Sequence, residues 1–389
     1  MKYDFENVVE RAGASAIKTS DLAIRHSLGL NTYPDSIAMW VADMDFATAP
    51  EIVSALKRRA ELATFGYSGF SDEYYSSVIS WFARRHSMSF TASEMVYTPG
   101  TVWATVAIIR AFTSEGEGVI IQPPVYYPFK RVTIDNKRKI IENHLICDSD
   151  NHYTIDFEDF EAKCADPNNK LFIFCNPHNP IGQIWDTQTT LRLIEICEAN
   201  DVLFFSDEVH GDLIRREAEF SSTLNIEGKD NIIVATAANK TFNLAGLHIT
   251  NLIIRNPKLR EQLTAYIGEG AISPFSEAAT IAAYNECEEW VDQMNEVLDE
   301  NMRYLGEFIA KRMPKVRYNL PSATYLAWLD FRAYEIEEAD LLRLFADKAH
   351  VVLERGSMFG EAGYGFIRMN VACPKSLLAE ALERMANVL

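Results

Sequence analysis

Between about residue 94 and residue 255 the chain alternates short, wholly apolar runs with helical stretches, and no other feature narrows the fold as far. Met95–Tyr97, Gly118–Gln122, Leu171–Cys175, Val202–Ser206, Ile232–Thr236 and Leu252–Arg255 predict strands. Val102–Phe112, Tyr127–Asn136 and Thr187–Asn200 predict helices among them. Strands that are apolar throughout, rather than at alternate positions, are buried on both faces, as in a parallel sheet. Strand–helix alternation then predicts an α/β doubly wound core.

The flanks read differently. Ser36–Phe46 is an extended apolar segment, and Ala49–Leu62 and Asp72–Arg85 predict helices. After residue 255 the chain is mostly helical to Lys311. A smaller α+β region follows, with strands expected at Ala323–Phe331, Val351–Glu354 and Gly365–Val371 and helices at Glu337–Lys348 and Ser376–Leu389. Residues 1–30 show no strong period. With no repeat or low-complexity linker to mark a boundary, one is placed near residue 285. The expected division is a large domain over 31–285 and a small domain made of 1–30 and 286–389.

Composition removes several classes of function. The formal charge of −18, from 55 acidic and 37 basic residues, disfavours nucleic acid or an anionic membrane as the main partner. Six cysteines are scattered without C-x-x-C spacing, so neither a zinc site nor a disulfide framework is expected, and a reducing cytoplasm fits. The opening MKYDFENVVER has no apolar segment behind a basic start, so no signal peptide is expected. No G-x-G-x-x-G follows a strand, which argues against a dinucleotide fold.

In parallel α/β sheets ligands sit at the carboxyl ends of the strands, so the residues just past each strand matter most. The first run leads into Thr98-Pro99-Gly100-Thr101-Val102, where small residues open a helix and its free N–H groups suit an anion such as phosphate. The next leads into Pro123-Pro124-Val125-Tyr126, an aromatic ring at the same edge. Leu171–Cys175 leads into Asn176-Pro177-His178-Asn179-Pro180-Ile181-Gly182, a turn that can present the Asn179 amide. Val202–Ser206 leads into Asp207; taken alone, a helix cap or loop acid is the better reading there. Ile232–Thr236 leads through small residues to Lys240, where burial favours a neutral, nucleophilic amine. An isolated lysine of this kind equally reads as one that snorkels to solvent.

Singly ambiguous, these signals occur in one order, and in that order they resemble fold-type I pyridoxal-phosphate enzymes, the aspartate-aminotransferase-like superfamily. Within it the chain is most similar to the MalY/PatB group of C–S β-lyases. The matching segments are Met39–Phe46 (MWVADMDF), Gly66-Tyr67, Pro123–Tyr126, Asn176–Gly182, Ser206–His210, Lys240–Gly246, Ser322–Asp330 and Phe366–Ala372. WVADMDF is the most group-specific piece; the Asn-Pro turn and the lysine region are superfamily-wide.

The resemblance implies a three-layer fold with a mostly parallel central sheet and a smaller α+β domain. It implies pyridoxal 5'-phosphate as cofactor, anchored on Lys240, with Asp207 facing the ring nitrogen and Tyr126 stacked on the ring. Asn179 and His210 are implied near the ring's phenolic oxygen, and Gly100, Thr101 and Val102 around the phosphate. Tyr67 resembles a tyrosine that reaches the phosphate from a partner subunit, which implies a homodimer. Arg368 is implied to grip the substrate carboxylate, with Trp40 and Tyr33 lining the substrate pocket. The chain departs from the superfamily at Ala237, where serine is frequent, and at His248, where arginine is frequent; Thr236 and His248 are the expected compensation. The implied reaction is β-elimination from cystathionine or another cysteine S-conjugate. An aminotransferase and a cofactor-binding regulator of a partner protein are the alternatives.

Overall fold

The computed structural model describes residues 1–11, 13–268 and 271–389. Its centre is a sheet of β1 (Met95–Thr98), β2 (Gly118–Ile121), β3 (Lys139–Glu142), β4 (Asn169–Cys175), β5 (Leu203–Asp207), β6 (Ile232–Thr236) and β7 (Thr250–Ile253), in the order β1-β7-β6-β5-β4-β2-β3. β7 pairs antiparallel with both β1 and β6, and the other pairings are parallel. The sheet is thus mostly parallel, as the apolar strands predicted.

Alternate strand residues feed two different cores. Ile120, Phe172, Phe174, Phe204 and Val234 pack into one, while Val119, Ile121, Leu171, Ile173, Phe205 and Ile233 pack into another on the opposite face. Each large side chain so buried contributes roughly 1.5–3 kcal/mol. Helices cover both faces, which gives three layers. The register sets Cys175 beside Asp207 and Asp207 beside Ala235, so the chemistry-bearing ends of β4, β5 and β6 lie abreast.

A second sheet is built of β8 (Arg317–Tyr318), β9 (Leu326–Asp330), β10 (Glu354–Arg355) and β11 (Phe366–Asn370), antiparallel throughout, in the order β8-β9-β11-β10. The helix Glu288–Arg312 joins the two parts: Trp290, Met294 and Leu298 enter the large core, and Met302, Leu305 and Ile309 the small one. The division at residues 30 and 285 stays a proposal. Met39 and Trp40 pack with the small sheet's core, and Tyr3 and Phe5 with the large one.

Several elements differ from expectation. Val351–Glu354 is not one strand: Val351–Val352 pairs in parallel with Ile37–Ala38, and Glu354–Arg355 joins β11. Of the extended segment Ser36–Phe46 only Ile37–Ala38 is strand; beyond Trp40 side chains take up the backbone carbonyls. The unpatterned N-terminal stretch holds a helix, Asp21–Leu28, capped by the Ser20 side chain and ended by Gly29 at φ +70°. The edge strand β3 was missed because its ends carry Lys139 and Glu142, which suit an edge but hide the apolar run.

Candidate active site

The carboxyl ends of the central strands open on a cavity of about 410 Å3 lined by Pro99–Trp103, Tyr126, Cys175, Asn179, Asp207, Val209, His210, Asn239, Lys240, Ala245 and His248. The ends of β1, β2, β4, β5 and β6 each place a residue singled out in the sequence at this cavity. Gly100 sits at φ +120°, a conformation that favours glycine, and no side chain caps the helix Thr101–Phe112 behind it. The opening amides of that helix are left for a ligand.

Burial governs the charges. Asp207, the last residue of β5, is pushed up to about 7 by desolvation, against the pull of the Val209 N–H and Lys240. Lys240 lies on the short helical turn Ala238–Thr241 and is pushed down to about 8, first by desolvation and then by Arg368. Its Nζ donates to the Ala42 carbonyl at 3.0 Å. His210 is buried and held down to about 3, so it is neutral, and its Nδ1 has no partner. The phenol of Tyr126 is pushed up by burial and stays protonated.

Arg368 lies behind this wall, on β11. It donates to Asn179 Oδ1 at 3.1 Å and to the Trp40 carbonyl at 2.9 Å, pairs with Glu354, and stacks over the Phe359 ring at 4.8 Å. Residues 40–44 form a strap beside the site, and each of their carbonyls accepts from a side chain. Trp40 accepts from Arg368, Val41 and Asp43 from Asn370, Ala42 from Lys240 and Tyr325, and Met44 from Asn243. Asp43 of the strap and Asp45 just after it are clamped as well. Lys18, 1% exposed, pairs with Asp45 at 2.8 Å and Asp43 at 3.7 Å, and Arg11 with Asp43 at 3.0 Å and Asp45 at 3.3 Å.

Some expected residues lie elsewhere. Tyr33 does not line the cavity: its ring stacks on His350 at 4.2 Å and its hydroxyl donates to Asp347. Trp40 is buried, its indole N–H donating to the Lys18 carbonyl, so only its own carbonyl serves the site. Thr236 is turned away, its hydroxyl donating to the Asn251 carbonyl at 3.4 Å, whereas His248 does reach the cavity. Tyr67 is fully exposed and lies outside the cavity of its own chain.

Sequence reasoning missed Trp103, Asn239, Cys175, Tyr325 and Glu354. Trp103 and Asn239 each adjoin a residue already singled out, and Tyr325 lies within SATYLAWLD, so proximity was the available signal. Glu354, at the end of the apolar run Val351–Leu353, offered none.

The donor set fits pyridoxal phosphate. Uncapped helix amides suit its phosphate, a buried carboxylate in need of a cation suits its ring nitrogen, and a depressed lysine amine suits its carbonyl. The unpartnered Asn239 Oδ1 and His210 Nδ1 are further polar atoms at the cavity.

Comparison with known proteins agrees with this geometry. The chain is 36% identical over 388 residues to cystathionine β-lyase PatB of Bacillus subtilis, covering 98% of both chains. It is 31% identical to protein MalY of Escherichia coli, covering 100% of this chain and 99% of that one. Cystalysin of Treponema denticola, whose crystal structure contains pyridoxal 5'-phosphate, superposes with a TM-score of 0.94 at 35% identity, covering 100% and 99% of the two chains. Residues 34–385 match the family described as aminotransferase class I and II. With that match spanning most of its length, the chain belongs to the class I and II aminotransferase family, on the branch of the PatB- and MalY-like proteins.

Proposed function

We propose that the protein is a pyridoxal-phosphate-dependent C–S β-lyase that converts cystathionine or a related cysteine S-conjugate to pyruvate, ammonia and a thiol. The observation that carries this is the convergence of Lys240 and Asp207 on one cavity, in a chain 36% identical to a cystathionine β-lyase. When bound, the cofactor supplies an electron sink for the pair left at the substrate α-carbon.

The residues supply the rest. The amides of Gly100, Thr101 and Val102 bind the phosphate, and Tyr126 stacks on the ring. Asp207 holds the proton at the ring nitrogen, and Asn179 with neutral His210 orients the ring's phenolic oxygen. Lys240 anchors the cofactor and, once released, moves the proton at the substrate α-carbon; an amine depressed to about 8 suits that work near neutral pH. Arg368 binds the α-carboxylate as a planar fork.

The working unit is read as a homodimer in which Tyr67 reaches the partner's phosphate site. The full exposure of Tyr67 and the partial exposure of Trp103, at 41%, leave surface for a second chain to cover. No helix among the described residues is long and apolar enough to cross a membrane, and a cytoplasmic location fits the six unpaired cysteines.

Supplying L-cystathionine without a keto acid tests the reading. Pyruvate and ammonia should appear in equal amounts. Turnover only after a keto acid is added establishes the aminotransferase reading, which the family match favours. No turnover of any amino acid tried leaves the regulatory one.

A further inference from the structure

The guanidinium of Arg368 already holds a carboxylate. Glu354 lies directly across from it in the β10–β11 pairing, both side chains are buried, and the two form an ion pair. Asn179, the Trp40 carbonyl and the Phe359 ring occupy other sides of the same guanidinium. An incoming α-carboxylate therefore finds the fork occupied. Glu354 is built as part of a strand rather than a mobile loop, so it competes at a fixed local concentration.

We propose that Glu354 is an intramolecular competitor for Arg368, which a substrate carboxylate must displace, and that the displaced Glu354 takes up a proton from solvent. This rests on the reading of Arg368 as the carboxylate-binding residue. The proton follows from burial: a carboxylate deprived of its ion-pair partner in an apolar wall is more stable neutral. The direction of the Glu354 shift agrees, since burial raises it while Arg368, Lys240 and Arg355 oppose. The titratable groups facing it from neighbouring elements are Arg368 on β11, Lys240 on its helical turn, and Tyr126 and Tyr127 beyond β2. Since ligand binding takes up a proton, affinity for a carboxylate falls as pH rises above the point where Glu354 ionises in the free protein. The consequence for specificity is a filter, because a substrate gains from Arg368 only what exceeds the gain from Glu354.

The test uses holoenzyme and 3-(methylthio)propionate, a thioether carboxylate that lacks the α-amine and so cannot react. Its affinity is measured by calorimetry across pH in the wild type, Glu354→Gln and Arg368→Ala, with KM and kcat determined alongside. Glu354→Gln should bind the probe about tenfold more tightly at neutral pH, equivalent to ~1.4 kcal/mol, with a flatter pH dependence and a lower KM at similar kcat. Weaker binding by Glu354→Gln would mean that the acid orients Arg368, and an unchanged pH slope would mean that no proton is exchanged; either overturns the proposal. If Arg368→Ala binds the probe as well as wild type, the carboxylate-site reading itself fails, whatever Glu354→Gln shows.

Discussion

The Nζ of Lys240 and the hydroxyl of Tyr325 donate to one oxygen, the Ala42 carbonyl, each at 3.0 Å. The lysine thus rests on a backbone atom of the strap, not on a carboxylate, and a neutral acceptor does little to hold the amine charged. Burial, with Arg368 behind it, sets its ionisation.

That arrangement makes Lys240 distinguishable from other lysines. At pH 8 an amine depressed to about 8 is roughly half neutral, whereas an ordinary lysine near 10.5 is almost wholly charged. Competitive acylation of cofactor-free protein at that pH should label Lys240 out of proportion to its exposure. Borohydride reduction of holoenzyme should fix the cofactor's mass on the peptide that contains it, and Lys240→Ala should show no such adduct. A reduced adduct on another lysine would end the assignment.

Asp207 predicts a pH dependence of stability. Its folded value, about 7, lies above the ordinary 3.8. Between those values the unfolded chain has released a proton that the folded one keeps, so the stability of cofactor-free protein should fall as pH rises from about 4 to about 7 and then level off. Asp207→Asn should flatten that part of the melting profile and leave the protein folded, while kcat drops by about a hundredfold or more. Retention of kcat within a factor of a few would remove Asp207 from the chemistry.

Mixing inactive variants tests the dimeric site. If Tyr67 serves the neighbouring chain, a mixed dimer of Lys240→Ala and Tyr67→Phe subunits has one site with both native residues. Co-refolding the two should recover activity to about a quarter of wild type for random pairing. No recovery beyond the sum of the separate variants would place Tyr67 outside the partner's site.

The clamp on the strap is open to a stability measurement. Lys18→Met removes a buried cation from two acids and leaves Arg11 as their remaining partner. A loss of about 3 kcal/mol by denaturant titration is expected, together with a raised KM because the strap also holds Arg368. A loss under 1 kcal/mol would show that Arg11 alone suffices.

The strand ends were legible because a parallel sheet buried on both faces leaves a plain signature, uninterrupted apolar runs, and because ligands gather where those runs stop. Asp207 and Lys240 stood out by that rule, but Asp207 alone read better as a cap or loop acid and Lys240 equally as a snorkelling side chain until the order of the signals was matched to a family. Arg368 needed the resemblance, since an arginine in a strand carries no mark of its own. Tyr33 was misplaced because a short extended segment near WVADMDF says nothing of which way it turns; in the structure it pairs with His350, more than 300 positions away in sequence. Glu354 and the Ala42 carbonyl were invisible for a related reason. One acts through an opposing strand and the other through its backbone, and neither has a sequence pattern.

The strap also bears on when the pocket comes into being. Residues 40–44 emerge early in synthesis, but Lys240, Tyr325, Arg368 and Asn370, which engage their carbonyls, emerge much later. The seven-stranded sheet brings Lys240 and Asn243 to the carbonyls of Ala42 and Met44, but the side chains that engage those of Trp40 and Val41 come from Arg368 and Asn370 of the small sheet. The strap is therefore held at every carbonyl only once the last strand of the small sheet reaches back to it.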